Sequence, residues 1–253
     1  MGKLLLDGLL VFVLLYAVIP GIMARMTGMG AFRKGHRVRG IALTFDDGPD
    51  PRYTPYLLDL LKKYNVKATF FVVGSKAEKH PAIIRRMQEE GHVIGIHNYV
   101  HRSNWVTNPW KLWQQIHHSA DIIERITGQR PMYYRPPWGL FTIFDFIMGK
   151  EFFFVLWSAM AGDWRIQVDH NVLQKRILTC LHGGCVLVLH DSGETFGADH
   201  DAPLYMLKAL EGVLQDDVSK TYSFVLINEM MGHTSKNSLM TQNRTGTCRH
   251  EAR

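Results

Sequence analysis

Residues 41–49, Ile-Ala-Leu-Thr-Phe-Asp-Asp-Gly-Pro, combine a short apolar run with two adjacent carboxylates and a turn. The apolar run does not alternate with polar residues, which predicts a strand buried on both faces. Asp46 and Asp47 repel each other when both are ionised, and the end of a strand gives no structural reason for the pair. A metal ion gives one, because one carboxylate can bind the ion while the other acts as a base.

Further short apolar segments alternate with helical ones, which predicts repeated βα units and a parallel sheet. Predicted strands are 41–45, 68–73, 93–96, 133–135, 152–157, 185–189 and 224–227, and predicted helices are 54–64, 81–90, 109–126, 141–148, 172–181 and 203–214. Asp46, His97, Arg135, Asp163 and His190 each follow a predicted strand, at the edge where barrel active sites are built. The predicted fold class is therefore α/β, a distorted (β/α) barrel of about seven strands.

His97 and His101 lie four residues apart, the spacing of a metal chelate on one helical turn. Each residue also has an explanation without catalysis. An aspartate before Gly-Pro can cap a turn, a histidine can serve a loop, and Arg135 before two prolines can be a surface residue. All of these non-catalytic explanations would have to be true at the same edge of the sheet. A metal-dependent hydrolase is therefore the favoured interpretation.

Five motifs in chain order resemble those of the polysaccharide deacetylase family, also called NodB-homology or carbohydrate esterase family 4. They are residues 44–49 (TFDDGP), the pair His97 and His101, residues 135–139 (RPPWG), residues 163–164 (DW) and residues 187–191 (LVLHD). The resemblance covers roughly residues 40 to 230. It implies a metal-dependent hydrolase that removes N-acetyl or O-acetyl groups from a carbohydrate.

The resemblance also implies a role for each motif residue. Asp47, His97 and His101 become the ligands of a divalent metal, most often zinc, with cobalt or another divalent ion as alternatives. Asp46 becomes the general base and His190 the general acid. These roles suit the residues, since three protein ligands leave the metal open positions and a nearby carboxylate can accept a proton.

Further residues complete the predicted site. Arg135 is expected to hold Asp46 ionised through a charge-assisted hydrogen bond. The resemblance implies that the backbone N–H of Trp138 lies in the oxyanion hole. Leu189 and Trp105 are expected on the substrate side. Trp105 is a candidate platform for a sugar ring. For the neighbouring Trp113, helix packing is the favoured explanation.

Two positions depart from the family pattern. Asn98 stands where relatives have Ser or Thr after the first metal histidine, and its amide is expected to orient a ligand instead. Met160 stands where relatives have an aspartate that steadies the catalytic histidine. Asp163 is expected to take over at His190, or that histidine works less well as an acid.

The N-terminal segment predicts a membrane anchor over residues 1–23, because Leu4 to Met23 are almost wholly apolar and about 20 helical residues span a bilayer. A cleaved signal peptide is the rival, but it lacks support from a basic start or a small-residue cleavage site. Residues 24–39 form a basic linker, 40–231 the catalytic domain, and 232–253 a polar tail expected to be disordered.

The net charge of +6 comes from the flanks of the catalytic domain. Basic residues after the apolar segment favour a cytoplasmic catalytic domain by the positive-inside rule. The polymeric substrates of the family favour an extracytoplasmic one, which we expect. No interleaving of aromatic and basic residues indicates a nucleic-acid partner.

The leading hypothesis is a deacetylase of a cell-envelope glycan such as peptidoglycan or a chitin-like polymer. An alternative is a deacetylase or deformylase of a lipid-linked sugar at the membrane face. A third is a non-catalytic glycan-binding protein, supported by Met160 and opposed by the intact Asp46.

Overall fold

A single parallel sheet organises the chain in the computed structural model, which describes residues 2–35, 40–148, 151–166 and 169–233. The sheet has the strand order β5-β4-β3-β2-β1-β7-β6, and β8 pairs with β1 off this path. The strands are β1 (Gly40–Asp46), β2 (Thr69–Val72), β3 (Val93–Ile96), β4 (Tyr133–Tyr134), β5 (Phe153–Phe154), β6 (Ala159–Met160), β7 (Val186–His190) and β8 (Ser223–Phe224).

The sheet is a curled half-barrel, as the sequence predicts. Its edge strands β5 and β6 are separated in the chain only by residues 155–158, so the two edges lie close together. β1 is central and every one of its residues is buried. Its apolar run is therefore covered on both faces, which explains why it does not alternate with polar residues.

Helices cover the sheet between the strands. They are Thr54–Lys63, Gly74–Lys79, Pro81–Glu89, Pro109–Thr127, Ile143–Met148, His170–Cys180, Ala202–Gln215, Asp217–Lys220 and Ile227–Met230, with single 3-10 turns at Asn104–Val106 and Pro137–Gly139. Pro109–Thr127 begins at Asn108, whose side chain accepts hydrogen bonds from the next turn, and ends at Gly128 in the left-handed conformation.

An N-terminal helix runs from Gly2 to Thr27 and contains one wider π-helical turn at Leu14–Val18. By length and hydropathy it could cross a membrane. It ends at Gly28, whose φ of 70° closes the helix. Most of the predicted basic linker therefore belongs to this helix or to the described stretch after it, while residues 36–39 lie outside the described residues. So do residues 234–253 of the predicted tail.

The predicted strand over residues 152–157 is longer than the observed β5, and β6 was not predicted. β5 is shorter than predicted because Arg135 reaches into the segment that follows it. Its Nε donates to the carbonyl of Val155 at 3.0 Å and its Nη2 to the carbonyl of Leu156 at 3.2 Å. A side chain thus takes carbonyls that a longer strand would offer to a neighbouring strand.

Candidate active site and metal centre

The carboxyl ends of the parallel strands bring the predicted polar residues to one pocket. Asp46 ends β1 and His190 ends β7, while His97 and Arg135 directly follow β3 and β4. The pocket has a volume of about 400 Å³. The predicted residues that line it are Asp46, Asp47, His97, His101, Trp138 and His190.

Asp47, His97 and His101 form a cluster with the composition of a metal site. Asp47 Oδ1 lies 3.3 Å from His97 Nε2 and 3.2 Å from His101 Nε2. It is buried and has no well-aligned hydrogen-bond partner among the described residues. Two imidazole nitrogens and a carboxylate oxygen that converge on one point in this way fit a divalent ion such as zinc.

Neighbouring groups orient two of these ligands. His97 Nδ1 lies 2.7 Å from the backbone oxygen of Arg135, so Nδ1 carries the proton and Nε2 presents its lone pair to the cluster. Thr195 Oγ1 donates to Asp47 Oδ2 at 2.5 Å. Burial opposes ionisation of Asp47, but its contacts with His101 and His97 outweigh burial and hold the pKa of Asp47 well below its usual value.

The two histidines do not share a helical turn, contrary to the interpretation of their spacing. Both lie in the loop after β3, and Asn98 between them has a φ of 61°. Asp47, Asn98 and Trp138 are three of the four non-glycine residues with positive φ in the described part of the chain. This conformation is costly for a side chain, and here it is concentrated around the pocket.

Arg135 holds Asp46 apart from the metal cluster. Its Nη1 donates to Asp46 Oδ1 at 2.7 Å and to Thr44 Oγ1 at 2.8 Å. Arg135 is fully buried, and its guanidinium lies 4.1 Å from the centre of the Phe71 ring. A buried guanidinium with this many partners cannot move, so it fixes the direction of the Asp46 carboxylate.

His190 stands across the pocket with Asp163 behind it. Asp163 Oδ1 lies 3.0 Å from His190 Nδ1, and Asp163 Oδ2 accepts from the His190 backbone N–H at 2.6 Å. Burial lowers the pKa of His190, but the charge and hydrogen bond of Asp163 outweigh it and raise the pKa to about 10. This histidine is therefore protonated at neutral pH. Its Nδ1–H donates to Asp163, and its Nε2–H faces the pocket.

Of the other predicted residues Trp138, Leu189 and Trp105, only Trp138 lines the pocket. Trp138 lines the pocket, and its ring stands edge-on to that of His101 at 4.3 Å. Leu189 is buried in the hydrophobic core, and Val188 lines the pocket instead. Trp105 is not among the lining residues. Its Nε1 donates to the Phe141 carbonyl at 2.8 Å, beside the N-terminal helix.

The two departures from the family pattern also have structural outcomes. Asn98 does not orient a ligand through its amide. Its Nδ2 donates to Arg102 and Asn104, and its Oδ1 accepts from the Tyr134 hydroxyl. Met160 lines the pocket and is 44% exposed.

Sequence reasoning missed several residues that line the pocket, and two of them, Thr195 and Arg25, contact predicted site residues directly. Thr195 contacts Asp47 from 148 positions away, and such a distance leaves no local signal in the sequence. Arg25 belongs to the N-terminal helix, yet its Nη2 donates to the Trp138 carbonyl at 2.7 Å and it lines the pocket. The basic residues 24–39 predict a linker in the sequence, whereas Arg25 belongs to the helix and contacts the pocket wall.

Comparisons with known proteins agree with this geometry. Residues 33–143 match the family model described as polysaccharide deacetylase. One peptidoglycan-N-acetylglucosamine deacetylase of Bacillus cereus is 38% identical over 64% of this chain and 59% of its own length. A second one from the same species is 32% identical over 81% of this chain and 94% of its own length.

A solved structure shows the same fold. The crystal structure of the Bc1960 peptidoglycan N-acetylglucosamine deacetylase, in complex with a naphthalenyl N-oxidanyl-benzamide, superposes with a TM-score of 0.75. It is 32% identical and covers 83% of this chain and 97% of its own. With the curled parallel sheet, the five ordered motifs and these relatives together, the chain belongs to the polysaccharide deacetylase family.

Proposed function

We propose that the protein is a metal-dependent hydrolase that removes N-acetyl groups, or O-acetyl groups, from a carbohydrate of the cell envelope. The observation that carries this proposal is the arrangement around one pocket of a carboxylate fixed by Arg135, a cluster of three metal-type ligands, and a protonated histidine. Acyl transfer to water needs a base, an electrophile and an acid in that relation.

Asp47, His97 and His101 would hold the metal, and zinc suits two imidazoles and one carboxylate best. Once bound, a zinc ion lowers the pKa of water and polarises a carbonyl oxygen. Because Thr195 and Arg135 already fix Asp47 and His97 in position, little rearrangement of these ligands is needed for binding.

The side chains divide the proton transfers between them. Asp46 accepts the proton of the attacking water at its Oδ2, because Arg135 occupies Oδ1. His190 donates its Nε2 proton to the leaving nitrogen, because Asp163 occupies Nδ1. Without that proton an amine leaves poorly. The N–H of Trp138 is proposed to stabilise the oxyanion.

Asp163 bears on the non-catalytic alternative. Met160 favours a protein that binds glycan without turnover, since it replaces the carboxylate that relatives place near the catalytic histidine. Here Asp163 makes two contacts with His190, so the histidine has an anionic partner in spite of Met160. This favours an active enzyme.

An acetylated sugar of the peptidoglycan type is the proposed substrate class. The relatives described above are named as deacetylases of N-acetylglucosamine in peptidoglycan, and a relative from Bacillus subtilis is named for N-acetylmuramic acid. We assign the catalytic domain to residues 40–231. We propose zinc as the ion that it binds.

We also propose that the N-terminal helix is an uncleaved membrane anchor, with the catalytic domain outside the cytoplasm. Cleavage would remove Arg25 from the Trp138 carbonyl and uncover the domain surface under Ala24, which is fully buried. A signal peptide has no reason to contribute to the folded domain in this way.

The test is acetate release by the full-length protein in detergent micelles, with acetylated peptidoglycan and N-acetylchitotetraose as substrates. We expect release with Zn²⁺ present, loss of release after chelation, and recovery when Zn²⁺ is restored. Absence of acetate from both substrates, with zinc bound at one ion per chain, would contradict the proposal.

A further inference from the structure

The N-terminal helix packs against the catalytic domain beside the pocket. Ala17, Pro20, Gly21 and Ala24 are buried on one side of this helix. Gly21 lies against the ring of Trp105. Small residues on a helix let two backbones approach closely, so this face is shaped for contact with the domain.

Contacts at two levels fix the same interface. The turn Leu14–Val18 contacts the helix Ile143–Met148. Near the other end, Arg25 donates to the Trp138 carbonyl, and its guanidinium lies 5.0 Å from the centre of the Trp157 ring. The helix and the pocket wall are therefore joined directly, without a flexible connection.

Only part of the apolar helix projects from the domain. Residues 4–15 are all exposed, and at 1.5 Å per residue they extend about 18 Å. The hydrocarbon core of a bilayer is about 30 Å thick, which needs about 20 residues and therefore the whole run from Leu4 to Met23. Residues 16–24 pack on the domain, and we call them the docked half. A bilayer around the run from Leu4 to Met23 also surrounds the outer side of this half, where Ile19 and Ile22 are 43% and 50% exposed.

The domain has exposed apolar side chains next to this docked half. Ile143 and Ile147 are 53% and 63% exposed, and Trp105 and Val106 are 37% and 66% exposed. We call these four residues the apolar rim. Exposed apolar side chains grouped beside a membrane helix suit the bilayer surface, and tryptophan is enriched at that level.

The depth of the pocket follows from the helix. Arg25 lies two residues after Met23, about 3 Å further along the helix axis. Arg25 also lines the pocket that contains Asp46 and His190. The pocket wall therefore stands at the boundary between hydrocarbon and headgroups, not at the end of a long tether.

We infer that this acetylated envelope sugar is carried on a lipid of the same membrane when it reaches the pocket, and that it is presented at the headgroup level. This rests on the proposed deacetylase function and on the proposed anchor. A pocket held at this height meets the sugar of a lipid-linked glycan directly, whereas a polymer must approach the bilayer surface to reach it.

The experiment varies the height of one sugar above the membrane. Full-length protein with Zn²⁺ is placed in phosphatidylglycerol–phosphatidylcholine vesicles with N-acetylchitotriose on a dialkyl lipid, joined by either a short or a long flexible spacer. Both probes have the same surface concentration. We expect the short spacer to give a kcat/KM at least about tenfold higher, because only its sugar is concentrated at the pocket.

Equal rates with both spacers, or faster release with the long one, would overturn the inference. The free trisaccharide separates this failure from that of the proposed function. If the free sugar is deacetylated while spacer length has no effect, the deacetylase proposal stands and the membrane-level substrate is wrong. If no probe releases acetate, both are wrong.

A pair of variants tests whether the helix belongs to the pocket wall. Arg25→Gln removes the guanidinium that holds the Trp138 carbonyl, so we expect kcat for the free trisaccharide to fall about tenfold. Arg125→Gln, exposed on the helix Pro109–Thr127, is the matched control and should equal the wild type. Unchanged kcat in Arg25→Gln would show that the helix does not shape the site and would overturn the inference.

Discussion

Asp46 and Asp47 are chemically identical neighbours, and the residues around them give them different environments. Asp46 receives a hydrogen bond from the buried Arg135, whereas Asp47 faces two histidine nitrogens. The positive φ of 76° at Asp47 turns the backbone between them. Adjacent carboxylates can therefore take separate roles, one as a base and one as a ligand.

Asp163 should control the protonation of His190. The Asp163→Asn substitution removes the negative charge that raises the pKa of His190, while burial, which lowers that pKa, stays. His190 then loses its proton at a lower pH, so the alkaline limb of the kcat/KM profile should move to lower pH. We also expect kcat to fall by about 100-fold, because the acid is less available.

The measurement is kcat/KM for N-acetylchitotetraose as a function of pH in the wild type and the variant. Asp121→Asn, whose carboxylate is exposed and pairs with Arg130, is the control and should keep the wild-type profile. An alkaline limb that stays in place in Asp163→Asn would refute this role for Asp163.

At the scale of elements, the buried side-chain amide of Asn104 connects the loop that contains His97 and His101 to the neighbouring strand and helix. Asn104 Nδ2 donates to the Tyr134 hydroxyl at 2.8 Å and to Asp145 Oδ1 at 2.9 Å, and its Oδ1 accepts from Asn98 Nδ2 at 3.0 Å. These bonds tie the loop after β3 to β4 and to the helix Ile143–Met148. Asn98 thus holds the shape of the loop, which is a different role from the one expected for it.

Asn104→Ala should lower the free energy of unfolding by about 3 kcal/mol, because it leaves several buried polar groups without partners. Asn108→Ala is the matched control. Asn108 caps the helix Pro109–Thr127, and loss of a cap costs about 1 kcal/mol. The measurement is urea unfolding of both variants in the same detergent. Equal destabilisation by the two substitutions would show that the Asn104 network does not stabilise this region.

At the scale of the whole molecule, the sequence predicted those features that local patterns encode. The central strands β1, β3 and β7 lie where apolar runs predicted them, and each leads directly to a candidate site residue. The sequence could not predict β6, because a strand of two residues has no periodic pattern and is defined by its pairing with β7. Nor could it predict the contacts of Thr195 and Arg25, which join residues more than 100 positions apart.

Leu189 and Trp105 also differ from the prediction, because neither lies on the substrate side of the pocket. Packing explains both positions. Leu189 points into the core because alternate residues of β7 face opposite sides of the strand, and Val188 lines the pocket. Trp105 packs beside the N-terminal helix, whose contact with the domain has no local sequence signature.

The most direct test of the account compares zinc content and acetate release in Asp46→Asn and Asp47→Asn. An asparagine at position 46 can still accept the hydrogen bond from Arg135 but cannot take a proton from water. We therefore expect Asp46→Asn to bind one zinc per chain and to lose at least about 100-fold in kcat. Asp47→Asn should lose both zinc and activity, because a neutral amide is a poor zinc ligand. Loss of zinc in Asp46→Asn, or full activity in that variant with zinc bound, would contradict the division of the two carboxylates into base and ligand.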